Sequence, residues 1–326
     1  QIVNSNGEAT RNTYMGNKTV FETYGNYQTT MADKHRLGIM VGYSWEESNS
    51  DDGFGVTVKN FYNDDVKYHN LSYANTIDGM DGVESGAEST LRMISFYGRV
   101  NYSFDSKYNL QATLRRDGSS AFGKNNRWAT FPSVAVGWTF SEEPFMRWAS
   151  WLDWGKLRAS YGTSGQIFTD EYLAHGLMSV DSDAFMENNG MIPNTMISPD
   201  LTWEKSEQYD IGLDLDMFDY RLKMKLDYYY KLTSSLIYNV ELPGTILLAG
   251  ARTENAMELS NEGIELELEA DILRNHAVLW RTKFNISRNW NRFEKSYDGK
   301  DKDGLIIGRP TSGLMVYAED GFYDSD

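Results

Sequence analysis

Apolar and polar side chains alternate one by one along most of the chain. Between His35 and Trp45 apolar residues occupy every second position, and the residues between them are mostly small or polar. The same alternation recurs in eight further segments, near residues 96–104, 108–115, 134–140, 157–161, 209–215, 220–230, 264–270 and 278–286. A period of two is the period of a β-strand with one apolar and one polar face. The pattern therefore predicts an all-β protein.

The predicted strands are long for a soluble protein. The alternation often persists over nine to eleven residues, whereas strands of soluble proteins average about five or six. Strands of this length cross a bilayer at a tilt of about 45°. Tyr220 and Tyr230 share one face and lie ten residues apart, a height of about 25 Å, which matches the two aromatic girdles of an outer-membrane barrel. The general preference of tyrosine for strands is the alternative explanation.

The connections between the predicted strands alternate between short and long. Short connections fall near residues 32–34, 105–106, 218–219 and 274–275, and long ones near residues 47–92, 117–127, 164–202, 239–258 and 291–310. The intermediate connection from Ser141 to Asp153 predicts a short helix, with Ser141 as N-cap and Pro144 in the first turn. An up-and-down membrane barrel has short periplasmic turns and long extracellular loops. The chain is therefore predicted to form roughly ten antiparallel strands of a transmembrane β-barrel.

The two faces of these strands have different surroundings in a membrane barrel. The apolar face contacts lipid, and the polar face lines a watery lumen. The charged residues that alternate with the apolar set are therefore assigned to the lumen: Arg99, Arg158, Arg221, Lys223, Lys225, Glu265, Glu267 and Glu269. Trp148, Trp151 and Trp154 are predicted at the periplasmic rim, because indole rings favour the headgroup region.

Composition excludes several functional classes. The 326 residues include 47 acidic and 31 basic side chains, and the resulting net charge of −16 argues against nucleic-acid binding. The chain has no cysteine, which rules out thiolate zinc sites and cysteine nucleophiles. No two of the four histidines are three or four residues apart. No metal site and no cofactor are therefore predicted.

Two acidic segments lack the residue spacing that a catalytic carboxylate pair or a calcium loop requires. Glu265, Glu267 and Glu269 lie on one strand face at a spacing of two, which is typical of a polar lumen rather than of a glycosidase carboxylate pair. The segment Tyr297–Gly304 does not place its glycine and acidic residues as a calcium loop requires, so a surface turn is predicted. No catalytic residue is assigned.

Several segments resemble the SusC-like branch of the TonB-dependent outer-membrane transporters of Bacteroidetes. The matching segments are Ser95–Met146, Lys156–Gly165 (KLRASYGTSG), Pro199–Leu215 (PDLTWEKSEQYDIGLDL), Asn261–Leu273, His35–Ser48 and Gly308–Asp326. The run from Arg115 to Trp128 is the most specific of them, and Ser198 stands where the family usually has asparagine. The resemblance covers nearly the whole chain from about Thr23.

The resemblance implies a location in the bacterial outer membrane and a role in nutrient uptake. SusC-like proteins have an N-terminal plug domain and a barrel of 22 strands. Residues 1–326 are expected to form part of that barrel, without the plug and the C-terminal strands. The resemblance also implies a SusD-like surface lipoprotein over the extracellular loops, TonB acting through the plug, and contact with outer-membrane lipid. The implied cargo is a bulky oligosaccharide or peptide.

Exposed aromatic residues in or beside the long loops are the candidate cargo contacts: Trp128, Phe168, Tyr172 and Trp203. Aromatic faces stack on sugar rings and on peptide side chains. Packing of the loops against one another is the alternative for each of them.

Two arginines are candidate contacts for lipopolysaccharide. Arg116 and Arg288 have the lipid-facing parity and lie at the extracellular ends of their strands. Arginine pairs bidentately with phosphate, so both are predicted to contact lipopolysaccharide phosphates. Snorkelling of the two side chains to the interface is the alternative.

A soluble, secreted all-β carbohydrate-binding module or glycosidase is the alternative hypothesis for the whole chain. Such a protein would use the aromatic loops on a sugar and would fold in buffer without detergent. Circular dichroism and heat-modified gel mobility, each measured with and without detergent, distinguish the two hypotheses.

Overall fold

The structure is a computed structural model that describes residues 7–51, 53–61, 69–77, 83–85, 88–167, 172, 174–176, 178–185, 188–193, 196–241, 251–274, 278–302 and 304–313. Regular structure in these residues is almost entirely β-strand, so the all-β prediction is confirmed. The strands are β1 (Glu8–Asn12), β2 (Met15–Met31), β3 (His35–Asp51), β4 (Phe54–Phe61), β5 (Ala74–Ile77), β6 (Val83–Ser85), β7 (Glu88–Phe104), β8 (Tyr108–Ser119), β9 (Trp128–Trp138), β10 (Leu152–Gln166), β11 (Met178–Phe185), β12 (Asn188–Pro193), β13 (Glu204–Met217), β14 (Leu222–Glu241), β15 (Ala251–Arg274) and β16 (Leu279–Lys295). No helix within the described ranges is long and apolar enough to cross a membrane.

The chain divides into two compact units. The first contains residues 1–22 and 44–94, and the second contains residues 23–43 and 95–326. In the first unit, β4 pairs with β1, β5 and β6 in a small antiparallel sheet. Thr10 and Thr57 face each other across this sheet, with 2.8 Å between their hydroxyl oxygens. The long connection that was predicted near residues 47–92 therefore contains strands of its own.

The largest feature is a ten-stranded sheet with the order β16-β15-β14-β13-β10-β9-β8-β7-β3-β2. Sequence neighbours are sheet neighbours except where β4 to β6 and the hairpin of β11 and β12 intervene. Every adjacent pair from β8 to β16 is antiparallel. The prediction of an up-and-down arrangement of ten strands is confirmed, and the sheet is open between β2 and β16 in this chain.

The strands of this sheet are longer than the sequence pattern predicts. They contain between 11 residues in β9 and 24 residues in β15. At about 3.3 Å per residue and a tilt of about 40°, β15 extends about 60 Å along the membrane normal. The apolar band of an outer-membrane barrel is only about 25 Å tall. The long connections therefore begin as continuations of the strands.

The short turns use residues with positive φ to reverse the chain. Ala32 and Asp33 have φ of 49° and 56°, and Asp105 and Ser106 have φ of 51° and 58°. Two consecutive residues with positive φ are the conformation of a type I′ hairpin turn, whose twist matches the flanking strands. The predicted short connections at these two places are confirmed.

The turn before β14 differs from the prediction. Phe218, Asp219 and Tyr220 all have positive φ, and β14 begins only at Leu222. Tyr220 therefore lies in the turn, and its assignment to the strand is wrong. In the sequence, the alternation of apolar and polar residues runs on through the turn, because Tyr220 has the same parity as the apolar residues of β14. The pattern therefore placed Tyr220 in the strand.

The intermediate connection contains two short 3₁₀ turns rather than one helix. They span Phe140–Glu142 and Pro144–Met146. Ser141 lies inside the first turn, so its predicted role as N-cap is wrong. Thr139 occupies the N-cap position, and its side chain makes no capping hydrogen bond. Pro144 begins the second turn, where its missing N–H is tolerated.

Candidate functional site

One face of the ten-stranded sheet is apolar and exposed. Its exposed apolar side chains include Ile39, Val41, Phe96, Val100, Leu110, Leu114, Val134, Val136, Leu157, Tyr209, Ile211, Leu226, Ile264, Phe284 and Ile286. All of them belong to the alternating apolar set of the sequence. Soluble monomers rarely expose an apolar surface of this extent. A continuous apolar face of this kind fits contact with lipid hydrocarbon.

The opposite face carries charged side chains that join neighbouring strands. Arg158 on β10 donates hydrogen bonds to both carboxylate oxygens of Asp214 on β13, at 2.7 and 2.9 Å. Its Nη2 also donates to Asp227 on β14, at 2.8 Å. Gly212 lies directly opposite Arg158, and a Cβ there would come within 2.6 Å of Nη2. The absent side chain at Gly212 therefore leaves the space through which the guanidinium reaches Asp227.

The ionic pattern continues across β14, β15 and β16. The strand register places Glu269 between Lys223 and Lys283. Lys283 Nζ lies 2.7 Å from a carboxylate oxygen of Glu269, and Lys225 Nζ lies 3.9 Å from one of Glu267. Cross-strand partners share one face of a sheet. The prediction that these residues lie together on the polar face is confirmed.

A groove of about 770 Å³ runs along the polar face in the second unit. The polar side chains that line it include Arg36, Asn101, Gln111, Lys156, Arg158 and Asp210. Such a wall offers both donors and acceptors to water or to a polar solute.

Trp128 lies on the apolar face of the sheet. It opposes Gly118 on β8, where a Cβ would come within 2.9 Å of the indole. The residue is 43% exposed, and the ring of Phe96 stacks on its indole at a centroid distance of 6.2 Å. The Cζ atom of Arg116 lies 5.5 Å from the indole centroid. These neighbours favour a position at the lipid boundary over the predicted contact with cargo.

Trp203 is buried, so the prediction of an exposed aromatic at this position is wrong. The residue is only 5% exposed, and its ring lies 4.9 Å from Phe122 and 5.8 Å from Phe131 between centroids. Its Nε1 donates to the carbonyl oxygen of Arg127 at 3.3 Å. Loop packing explains this residue, because Trp203 joins the segment before β13 to the connection between β8 and β9.

The remaining predicted contacts for cargo and lipopolysaccharide do not share one environment. Tyr172 is 37% exposed and stays a candidate for a cargo contact. Phe168 lies outside the described residues. Arg288 is on the apolar face of β16, and its Cζ lies 5.0 Å from the ring centroid of Trp290.

The predicted surface turn at Tyr297–Gly304 is organised around one carboxylate. Asp298 accepts hydrogen bonds from Lys302 Nζ at 2.7 Å, from Ser296 Oγ at 3.1 Å and from the Lys300 backbone N–H at 3.2 Å. The protein's own donors thus occupy the carboxylate that a calcium loop would need free. No group of three or more metal-ligating side chains occurs in the part of the chain that the structure describes.

The contacts of Asp298 make this loop sensitive to acid. The Lys302 ammonium, followed by the Lys300 amide and the Ser296 hydroxyl, lowers the pKa of Asp298 from 3.8 to about 2. A carboxyl with a lowered pKa stabilises the folded loop above its unfolded pKa, and this stabilisation is lost as pH falls toward the folded value. We expect amide exchange in residues 296–302 to be slower than in Asp298→Ala above about pH 4, and this difference to shrink as pH falls through about 2. Equal exchange in both proteins at neutral pH would contradict this role.

The comparisons with known proteins give one family. The model described as "TonB dependent receptor-like, beta-barrel" matches residues 2–317. "TonB-dependent receptor P3" of Formosa agariphila is 34% identical over 299 residues, which are 90% of this chain and 29% of that protein. "TonB-dependent receptor SusC" of Bacteroides thetaiotaomicron is 32% identical over 220 residues, which are 66% of this chain and 22% of that protein.

A solved structure gives the same result. The RagAB peptide transporter superposes with a TM-score of 0.79 at 28% identity, over 93% of this chain and 34% of the other. The chain therefore spans about a third of the length of its relatives. The matching family is one of receptors rather than of enzymes, and it does not favour the soluble alternative. This chain belongs to the β-barrel family of the TonB-dependent receptors, with SusC among its relatives, and its location is the bacterial outer membrane.

Proposed function

We propose that this chain forms part of the barrel wall of a SusC-like importer that carries a bulky nutrient across the outer membrane. The nutrient is an oligosaccharide or a peptide. A SusD-like surface lipoprotein covers the extracellular loops, and TonB supplies energy through the plug domain of the full receptor. Residues 1–326 belong to the barrel domain of that receptor.

The main support for the proposal is that one face of the sheet is apolar and the other is charged. Exposed apolar side chains such as Val134 and Ile211 lie on one face, and the Arg158–Asp214 ion pair lies on the other. Charged groups are tolerated at membrane depth only where they are buried in protein or line a watery cavity. The similarity to the RagAB peptide transporter supports import of a bulky solute through such a cavity.

No residue of the chain needs to perform covalent chemistry in this role. Glu267 and Glu269 each lie beside a lysine, and Asp214 is held by Arg158. A glycosidase needs a carboxyl group that is available to donate a proton to the leaving group. These carboxylates are instead paired with cations on the same face of the sheet, which supports a transporter wall without catalytic residues.

Recognition of the cargo is assigned to the loops. Tyr172 is exposed and is the candidate for stacking on a sugar ring or a peptide side chain. Phe168 is proposed to act with it. Trp203 is left out of this set, because its ring is buried against Phe122 and Phe131.

The test uses the full receptor in cells and after purification. Cells are supplied with labelled peptides from a protein digest and with labelled oligosaccharides from a polysaccharide digest. We expect one of the two mixtures to enter the cells and a protonophore to abolish entry while surface binding persists. The purified receptor is expected to retain the same molecules, as measured by mass spectrometry.

Two results would overturn the proposal. The first is entry that is unchanged in cells from which the receptor gene has been deleted. The second is hydrolysis of the oligosaccharides by the purified receptor, which would support the glycosidase alternative.

A further inference from the structure

Two arginines on the apolar face lie against indole rings. The Arg116 guanidinium lies over Trp128, and the aromatic surface continues through Phe96 to Tyr43, whose ring centroids are 5.2 Å apart. Thr130 is the cross-strand partner of Arg116, so its hydroxyl lies on the same face. An indole attracts a cation to its face and restricts the motion of a long side chain.

The second arginine repeats this arrangement on another strand. Arg288 on β16 lies over Trp290, and its cross-strand partner is the exposed Ile264. The next outward arginine, Arg292, is different, because its Nη2 lies 3.1 Å from a carboxylate oxygen of Glu262. Six strand steps separate β8 from β16 in the sheet. At about 4.8 Å per step the two strands are about 29 Å apart along the sheet, so the two indole-supported arginines form separate sites.

Neither of these arginines has a carboxylate partner among the residues that the structure describes. The contrast with Arg115, the sequence neighbour of Arg116, is informative. Arg115 points to the polar face and donates to both oxygens of Asp117 at 2.8 Å and to Ser95 at 3.0 Å. A guanidinium beside hydrocarbon gains from an anion more than one in water does, because the local dielectric constant is low.

The two arginines also lie at the same height. Arg116 is eight residues beyond the start of β8, and Arg288 is nine residues beyond the start of β16. An even number of antiparallel steps separates the two strands, so both begin at the same end of the sheet. At about 3.3 Å per residue and a tilt of about 40°, the two side chains are about 20 to 23 Å above the first residues of their strands. This height is close to the outer boundary of the apolar band.

We propose that Arg116 and Arg288 each bind a phosphate group of lipopolysaccharide in the outer leaflet. Lipopolysaccharide carries its phosphates at the boundary between acyl chains and sugars, where these side chains lie. The planar guanidinium donates two parallel hydrogen bonds to phosphate oxygens, and the indole beneath it holds the side chain in place. The apolar residues below each arginine contact the acyl chains. The sites are independent of the identity of the cargo.

The first experiment measures lipopolysaccharide that copurifies with the full receptor from outer membranes. The variants are Arg116→Gln with Arg288→Gln, and Arg292→Gln is the matched control because its cation already pairs with Glu262. We expect the double variant to retain about tenfold less lipopolysaccharide and the control to retain the wild-type amount. Heat-modified gel mobility checks that each variant is folded.

The second experiment uses only the wild-type receptor, so it stays decisive where a variant fails to fold. Lipid A and phosphatase-treated lipid A are titrated onto delipidated receptor, with inorganic phosphate as a third ligand. We expect lipid A to bind at least about tenfold more tightly than its dephosphorylated form. Equal binding of the two lipids, or inorganic phosphate binding as tightly as lipid A, would overturn the proposal. Equal lipopolysaccharide retention by the double variant and the control would do the same.

Discussion

Replacement of Trp203 by alanine is expected to cost about 3–5 kcal/mol of local stability. The ring is almost fully buried, and its removal leaves a cavity beside Phe122 and Phe131. The hydrogen bond from Nε1 to the Arg127 carbonyl is lost as well. Because the cluster joins two connections of the sheet, residues 119–127 should open without unfolding of the strands. Native-state amide exchange of these residues should become at least about a hundredfold faster.

Trp128→Ala is the matched control for this effect. Trp128 is 43% exposed, so removal of its ring should cost no more than about 2 kcal/mol. A similar acceleration of exchange in both variants would show that burial of Trp203 is not what holds the loop. Unchanged exchange in Trp203→Ala would contradict the role of the cluster directly.

Val134→Arg is expected to lower the free energy of unfolding by about 2–4 kcal/mol in a lipid bilayer. Val134 lies on the exposed apolar face, four residues before the end of β9. This position is about 10 Å inside the apolar band, where a cation has no water within easy reach. The receptor is reconstituted in vesicles, and the urea midpoint is measured by tryptophan fluorescence.

The neighbouring position provides the control. Ser133 is on the opposite face of β9, where Gly162 is its cross-strand partner. An arginine at position 133 can extend into the polar groove, so we expect Ser133→Arg to change stability by less than about 1 kcal/mol. A larger loss of unfolding free energy in Ser133→Arg than in Val134→Arg would reverse the assignment of the two faces. It would also remove the basis of the transport proposal.

Strands and short turns were predictable from the sequence because both depend on local patterns. The alternation of side chains placed Val134 and Arg158 on opposite faces of the sheet, as the structure has them. The turn at Asp105 was predicted from the short gap between two alternating segments, one ending at Phe104 and the next beginning at Tyr108. Tyr220 is the informative failure, since a turn residue with the right parity cannot be distinguished from a strand residue by periodicity.

The environment of the aromatic residues was not predictable in the same way. Trp203 and Phe122 are 81 positions apart in the sequence, and no local pattern indicates that their rings meet. For Trp128 a signal was present, because the residue has the lipid-facing parity of Val134 and Val136. That parity indicates a position of Trp128 at the lipid boundary. The strands inside the long connections were missed because they are short and pair within the loops.

The junction of β10 and β13 has a consequence for how such receptors can diversify. Gln166 and Glu204 are directly paired, so the 37 residues between them leave and re-enter the sheet at one point. Each doubling of such an insertion adds only about 0.6 kcal/mol of closure entropy. Mutation, deletion or exchange of this segment during evolution would therefore leave the registry of the neighbouring strands intact. New ligand specificities can arise there while the membrane scaffold stays the same.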